Sequence, residues 1–237
     1  GIDWIAGAAD RGDFDATSTT IALSPGGLVD DLPQDLLTRT FDKWWENFTA
    51  RQENRQGWKD YTPYELRNVG AMVRLGRRDE ALRALDFYFA DMRPRAWNGW
   101  AEVVGRDERE PRFIGDMPHA WISSDYIRSA LDLLVYERDS DHALMLAAGV
   151  PTAWLEGEGV GVRAVRTPYG ALTYRLRRDG RGFVLTLEPG VTPPGGFVIP
   201  WPKGQTPPAA VRIAGRAAAF ADGELSIPAA PPRVGLR

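Results

Sequence analysis

The hydrophobic pattern of this 237-residue chain changes near residue 139. Before that point, apolar residues recur every three or four positions, a spacing typical of amphipathic helices. After it, short runs alternate apolar and polar residues, as at Leu172, Tyr174 and Leu176, with glycine and proline between the runs. This alternation is typical of antiparallel strands. We therefore predict a helical domain over residues 1–138 and a domain of strands over residues 139–237.

The first half carries four helical segments, which cover residues 33–51, 64–75, 78–92 and 119–138. A two-residue link between the second and third predicts an antiparallel helical hairpin. Aromatic-rich loops at the helix ends predict helical hairpins of a partial six-hairpin (α/α) toroid. In the second half, turns at Asp179-Gly180 and Asp222-Gly223 predict a C-terminal antiparallel β-sandwich. The predicted fold class is thus α and β in two successive parts.

Composition excludes several classes of function. A net charge of −3 gives no basic footprint for nucleic acid, and no apolar run approaches the ~20 residues of a membrane span. The chain has no cysteine and only two histidines, His119 and His142. We therefore predict no metal and no cofactor, and chemistry based on carboxylates, tyrosines or hydroxyl groups.

The beginning of the chain, GIDWIAGAAD, is typical of the end of a helix. It lacks the basic and apolar regions of a signal peptide, and it leaves the compartment open. We expect an N-terminal portion before it. Hairpins without their neighbours in a toroid would expose apolar faces. We predict that either the N-terminal portion or a second copy of the chain, in a homo-oligomer, covers these faces.

The stretch Trp97–Asp125 is the strongest candidate for a functional loop, because long loops in compact domains are usually functional or disordered. It holds two candidate catalytic carboxylates, Glu102 and Asp116. Apolar neighbours can tune the pKa of a carboxylate such as Glu102. Tryptophan rings can stack on sugar rings, and a histidine can bond sugar hydroxyls. The candidate carbohydrate-binding residues of this stretch are Trp97, Trp100, His119 and Trp121.

Four further residues outside this stretch are candidate substrate contacts: Tyr61, Glu65, Asp13 and Asp15. All four lie on predicted loops or helix starts. For the two aspartates the alternative is structural, because Asp15 can cap a short helix that ends before Pro25. By the same reasoning, His119 can be a structural histidine at a helix start.

Four segments in this order resemble the C-terminal half of α-L-rhamnosidase-like glycoside hydrolases. They are YTPYELRNVGAMVRLGRRDEALRAL, WNGWAEVV, GDMPHAWISSDYIRSALDLL and RTPYGALTYRLRRDGRGFVLTLEPG. The resemblance covers residues 17–190. It implies a six-hairpin toroid followed by a β-sandwich, with Glu102 as the general base, a histidine at His119 and a general acid upstream. The sequence departs from the family pattern at Ala101 and in the acidic character of GDMPHAWISSD.

Three functions remain open from the sequence. The first is a glycoside hydrolase, or the C-terminal part of one, that acts on a glycan or glycoside. The second is a carbohydrate-binding or structural module without catalysis. The third is a polysaccharide lyase, in which Tyr126 or Tyr61 would abstract a proton together with His119. A second carboxylate within about 10 Å of Glu102 would favour hydrolysis.

Overall fold

A computed structural model of the protein describes residues 1–107, 116–180, 182–228 and 234–236. The chain divides into two compact units. The first comprises Gly1–Leu75 and Asp79–Ala130, and the second comprises Gly76–Arg78 and Leu131–Arg237. Each unit has a core of its own, and the candidate site lies in the first.

Five α-helices form most of the regular structure before residue 133. They are α1 (Ala16–Leu23), α2 (Gln34–Gln52), α3 (Arg67–Arg74), α4 (Arg78–Ala90) and α5 (Ala120–Asp132). The 19-residue α2 follows the predicted apolar face, and Leu37, Phe41 and Phe48 are fully buried. Spacing of three and four residues places these side chains on one side of the helix, which packs into the core of the unit.

The core of the first unit is aromatic. Phe48 stacks against both Trp44 and Trp45, with ring centroids 5.4 and 5.2 Å away, and it meets Phe87 edge-on. A two-stranded antiparallel sheet closes one side of this unit. It pairs β1 (Asp60–Tyr61) with β2 (Val104–Gly105). This pairing anchors the candidate functional stretch, Trp97–Asp125, at Val104 and Gly105 within it.

The remaining ten strands form two sheets in the second unit. The six-stranded sheet has the order β10-β9-β12-β7-β6-β5, and the four-stranded sheet has the order β11-β8-β4-β3. Their bounds are β3 Val135–Arg138, β4 Ala143–Leu146, β5 Val160–Thr167, β6 Gly170–Asp179, β7 Gly182–Leu187, β8 Phe197–Pro200, β9 Val211–Ile213, β10 Arg216–Ala218, β11 Glu224–Ile227 and β12 Val234–Leu236. Both sheets contribute to one hydrophobic cluster, which includes Leu144, Leu185 and Phe197.

The predicted fold class, a partial toroid followed by a β-sandwich, is wrong. The described residues form a mixed α+β structure with five α-helices and several small sheets. Helices α1 and α3 have eight residues each, and a two-stranded sheet is built into the helical half. Eight residues of α-helix span only about 12 Å, which is too short for a pair of long antiparallel helices.

The helix predicted over residues 119–138 also extends six residues beyond the end of the observed helix. Helix α5 stops at Asp132, and Val135 begins a strand that pairs with β4. The apolar stripe of that predicted helix, formed by Ile127, Leu131, Leu134 and Val135, is not one buried face, because 58% of Ile127 is exposed. Leu134 and Val135 instead pack with the cluster of the second unit. Among the described residues, no helix combines the length and the apolar composition needed to cross a bilayer.

Candidate functional site

The backbone around Glu102 is anchored on both sides. Trp100 is buried, and its indole N–H donates to the Tyr88 carbonyl at 2.8 Å. Strand β2 follows at Val104 and pairs with β1. The Thr62 hydroxyl donates to the Glu102 carbonyl at 2.8 Å. A carboxylate on this segment is therefore presented to solvent from a fixed backbone, since Glu102 itself is exposed.

Asp116 and His119 lie against Glu102. One carboxylate oxygen of Asp116, Oδ2, accepts the Glu102 backbone N–H at 3.3 Å and lies 3.2 Å from Nδ1 of His119. Glu102, Asp116 and His119 each offer one potential ligand atom, and these atoms all lie within 4.8 Å of one another. Residues picked separately from the sequence thus meet at one place. Residues 108–115, which precede Asp116, lie outside the described residues.

Tyr64 extends this cluster and was not predicted as a site residue. Its hydroxyl lies 2.9 Å from Nε2 of His119, and the two rings meet edge-on. Asp116, His119 and Tyr64 therefore form one chain of close polar contacts. When Nδ1 carries the imidazole proton, Nδ1 faces the Asp116 carboxylate as a donor and Nε2 accepts from the Tyr64 hydroxyl. In the other tautomer Nε2 donates to the Tyr64 oxygen, and Nδ1 has no proton for Asp116.

The environment of Tyr64 keeps its hydroxyl protonated. Burial raises the pKa of Tyr64, and the negative charge of Glu102 raises it further. The Arg67 guanidinium lies 4.3 Å from the centre of the Tyr64 ring and opposes this effect. Arg67 is itself held by Asp125, with Nε 2.6 Å from Oδ2. Tyr64 can therefore donate a hydrogen bond at neutral pH.

An exposed tryptophan borders the cluster. Trp121 is 70% exposed, and its ring centroid lies 6.2 Å from that of His119 and 6.5 Å from that of Tyr64. Trp97, in a 3₁₀ turn five residues before Glu102, is 57% exposed. Large exposed aromatic side chains beside polar groups are typical of binding surfaces. Trp121 thus offers a flat apolar face next to three groups that can transfer or accept protons.

The structure places Glu65 in a network of its own. Arg51 binds both of its carboxylate oxygens, at 2.9 and 2.7 Å, and Trp44 and Tyr88 donate to Oε2 at 2.9 and 3.0 Å. Despite burial, which acts in the opposite direction, the Glu65 charge holds the pKa of Arg51 above its ordinary value. These bonds occupy Glu65 and join α2 to α4.

The other predicted substrate contacts also have partners within the protein. The buried Tyr61 donates its hydroxyl to Asp91 at 2.5 Å. Asp13 accepts the Ala8 backbone N–H at 2.8 Å. Asp15 caps α1, and this confirms its structural alternative. Burial tends to raise the pKa of Asp15, but hydrogen bonds from the hydroxyl and backbone groups of the first turn outweigh it and lower the pKa.

Comparison of the chain with protein-family models, with curated protein sequences and with solved structures gave no match. The resemblance to α-L-rhamnosidase-like enzymes therefore depends on the four quoted segments alone. Any function has to be inferred from the geometry around Glu102, Asp116 and His119.

Proposed function

We propose that this protein hydrolyses glycosidic bonds, with Glu102 as the base that activates water. The observation that supports this most is the meeting of Glu102, Asp116 and His119 within 4.8 Å, beside the exposed face of Trp121. Glycosidases need carboxyl groups at the scissile bond, and sugar rings stack on aromatic faces. The resemblance of the four quoted segments to α-L-rhamnosidase-like enzymes also implies Glu102 as the base.

The roles of the two carboxylates differ. Asp116 accepts one hydrogen bond from the Glu102 backbone N–H and faces His119, so it positions the other two. Glu102 is exposed and can reach a substrate water. A spacing within 4.8 Å is too short for the ~6.5–9.5 Å that separates the acid and the base of an inverting enzyme. Asp116 is therefore not the general acid that would act with Glu102 in an inverting mechanism. We propose that a residue other than Asp116 is the general acid.

The test is hydrolysis of a panel of aryl glycosides by the purified chain. Because a positioned general base contributes about 10²–10⁴ in rate, E102Q should lose at least a hundredfold in kcat/KM. The matched control is E46Q, an exposed glutamate on α2. W121A should raise KM, whereas W154A, another exposed tryptophan, should not. Equal activity of E102Q and E46Q would refute Glu102 as the base.

A second candidate, polysaccharide lysis, is favoured by the 2.9 Å contact between Tyr64 and His119. Lyases abstract a proton next to a uronate carboxyl group and protonate the leaving oxygen, and a tyrosine that keeps its proton beside a histidine suits the second of these steps. Tyr61 and Tyr126, the tyrosines suggested by the sequence, have other partners, Asp91 and Trp100. A lyase would give an unsaturated product that absorbs ultraviolet light, and a Y64F variant would lose that product. A non-catalytic carbohydrate-binding module would give neither product yet still depend on Trp121.

A further inference from the structure

Glu102, Asp116 and His119 also have the arrangement of ligands around a single cation. Their ligand atoms lie within 4.8 Å of one another, and Nδ1 of His119 is 3.2 Å from Oδ2 of Asp116. Two ligands at about 2.1 Å from a tetrahedral ion are about 3.4 Å apart. The imidazole–carboxylate distance is therefore already close to that of two ligands of one ion. Glu102 is exposed, so its side chain can rotate to complete the set.

The second ring nitrogen of His119 is held as it is in metal sites. Histidines that bind a metal through one nitrogen usually give the N–H of the other to a fixed acceptor, which sets the tautomer and the ring orientation. Here Nε2 lies 2.9 Å from the Tyr64 hydroxyl, and Arg67 packs on the Tyr64 ring. In the tautomer in which Nε2 donates to the Tyr64 hydroxyl, the lone pair of Nδ1 faces Asp116. An acidic cluster alone would have no such outer support.

Asp116 supplies a further indication. Its second oxygen, Oδ1, is buried and has no hydrogen-bond partner among the described residues. Buried carboxylate oxygens are costly when nothing binds them. The guanidinium group of Arg67, which packs on the Tyr64 ring, is paired with Asp125. A cation would balance the charge of two neighbouring carboxylates.

We propose that Glu102, Asp116 and His119 bind one divalent first-row transition-metal ion, of the class of Mn²⁺ or Zn²⁺. One imidazole with two carboxylates suits these ions better than Ca²⁺ or Mg²⁺, which prefer oxygen ligands alone. The sequence prediction of no metal rested on the scarcity of histidine and cysteine, but this set needs a single histidine. Three protein ligands leave coordination positions open for water or a sugar hydroxyl.

This inference deepens the proposed hydrolysis and uses the same site. A carboxylate that binds an ion through one oxygen keeps the other for a hydrogen bond. Glu102 can thus accept the proton of an ion-bound water while Asp116 and His119 hold the ion. A bound Zn²⁺ would lower the pKa of that water towards about 7, which would make the proton easier to remove. Binding of the ion is measurable without any substrate.

The experiment is calorimetric titration of the chelator-treated full chain with MnCl₂ and, separately, with ZnCl₂. At least one of the two salts should bind at one site per chain. E102Q and D116N should each weaken that binding at least tenfold. Y64F, which removes only the outer partner, should weaken it about 10- to 100-fold. H119N should abolish it, and the matched control H142N, at the other histidine, should leave it unchanged.

Circular dichroism of each variant separates lost binding from lost folding, and E102Q, an exposed substitution, keeps the test valid if H119N does not fold. No saturable binding of either salt would overturn the proposal, as would equal binding by E102Q and the parent chain. Metal binding without hydrolysis would leave the cation site and refute the proposed function. Hydrolysis that persists in chelator, by a chain that binds neither ion, would refute the cation site and leave the proposed hydrolysis standing.

Discussion

Replacing Glu65 by glutamine should destabilise the first unit strongly, although Glu65 was a candidate substrate contact. Its side chain is 14% exposed and that of Arg51 is 11% exposed, with 2.7 Å between Nη2 and Oε2. At an effective dielectric constant of about 20, charges this close attract each other by about 6 kcal/mol. Desolvation offsets part of this in the parent protein. In E65Q the Arg51 charge stays buried without its counter-charge, and the amide NH₂ faces guanidinium donors.

We expect E65Q to lose about 3–5 kcal/mol in the free energy of unfolding, the usual cost of removing one partner of a buried pair. Urea denaturation followed by circular dichroism gives this value. E46Q should change the same free energy by less than about 0.5 kcal/mol, because surface substitutions have small effects. The double variant R51M/E65Q should be less destabilised than E65Q alone. A loss under about 1 kcal/mol in E65Q would refute the reasoning.

Three further predictions concern other parts of the molecule. D15A should lose about 1 kcal/mol in urea denaturation, since it removes the N-cap of α1. D15N keeps the cap but not the charge. The pKa of Asp15 is lowered in the folded state. The ionised carboxylate therefore contributes to the free energy of unfolding above the unfolded pKa of about 3.9, and this contribution is lost as the pH falls through the folded pKa. Unfolding measured from pH 5 to 2 should therefore show a smaller pH dependence in D15N. L144A should cost about 2–5 kcal/mol in thermal or urea unfolding, because Leu144 is fully buried in the cluster shared by two sheets. W121A should weaken binding of an oligosaccharide in calorimetry while leaving the melting temperature unchanged, because the ring is exposed.

The sequence was sufficient where a pattern was long and local. Nineteen residues with a continuous apolar face predicted α2 to within one residue at each end. The pattern failed at the end of α5, because a short apolar run such as LDLLVYER fits a helix and a strand equally well. Pairing of Val135 with Leu146 decides between them. That pairing joins residues eleven positions apart, and helical periodicity contains no information about it.

The candidate site was predictable in part for the same reason. Glu102, Asp116 and His119 stand within eighteen residues and carry obvious chemistry, so the sequence could select each of them. Tyr64 lies 55 positions before His119, and nothing in its local pattern separates it from Tyr61. Trp100 and Trp121 look alike in the sequence, yet one is buried against Tyr88 and the other is exposed. Burial depends on the tertiary structure, and periodicity within a loop does not predict it.

The central claim is that Glu102 is the reactive carboxylate of a carbohydrate site. Chemical rescue tests it most directly, because a small anion can occupy the space of a deleted carboxylate and restore its chemistry. We predict that E102A is inactive on the best aryl glycoside of the panel and that added formate or azide restores a measurable part of kcat. The same anions should not raise the activity of the parent chain. An E102A variant as active as the parent without added anion would contradict the account.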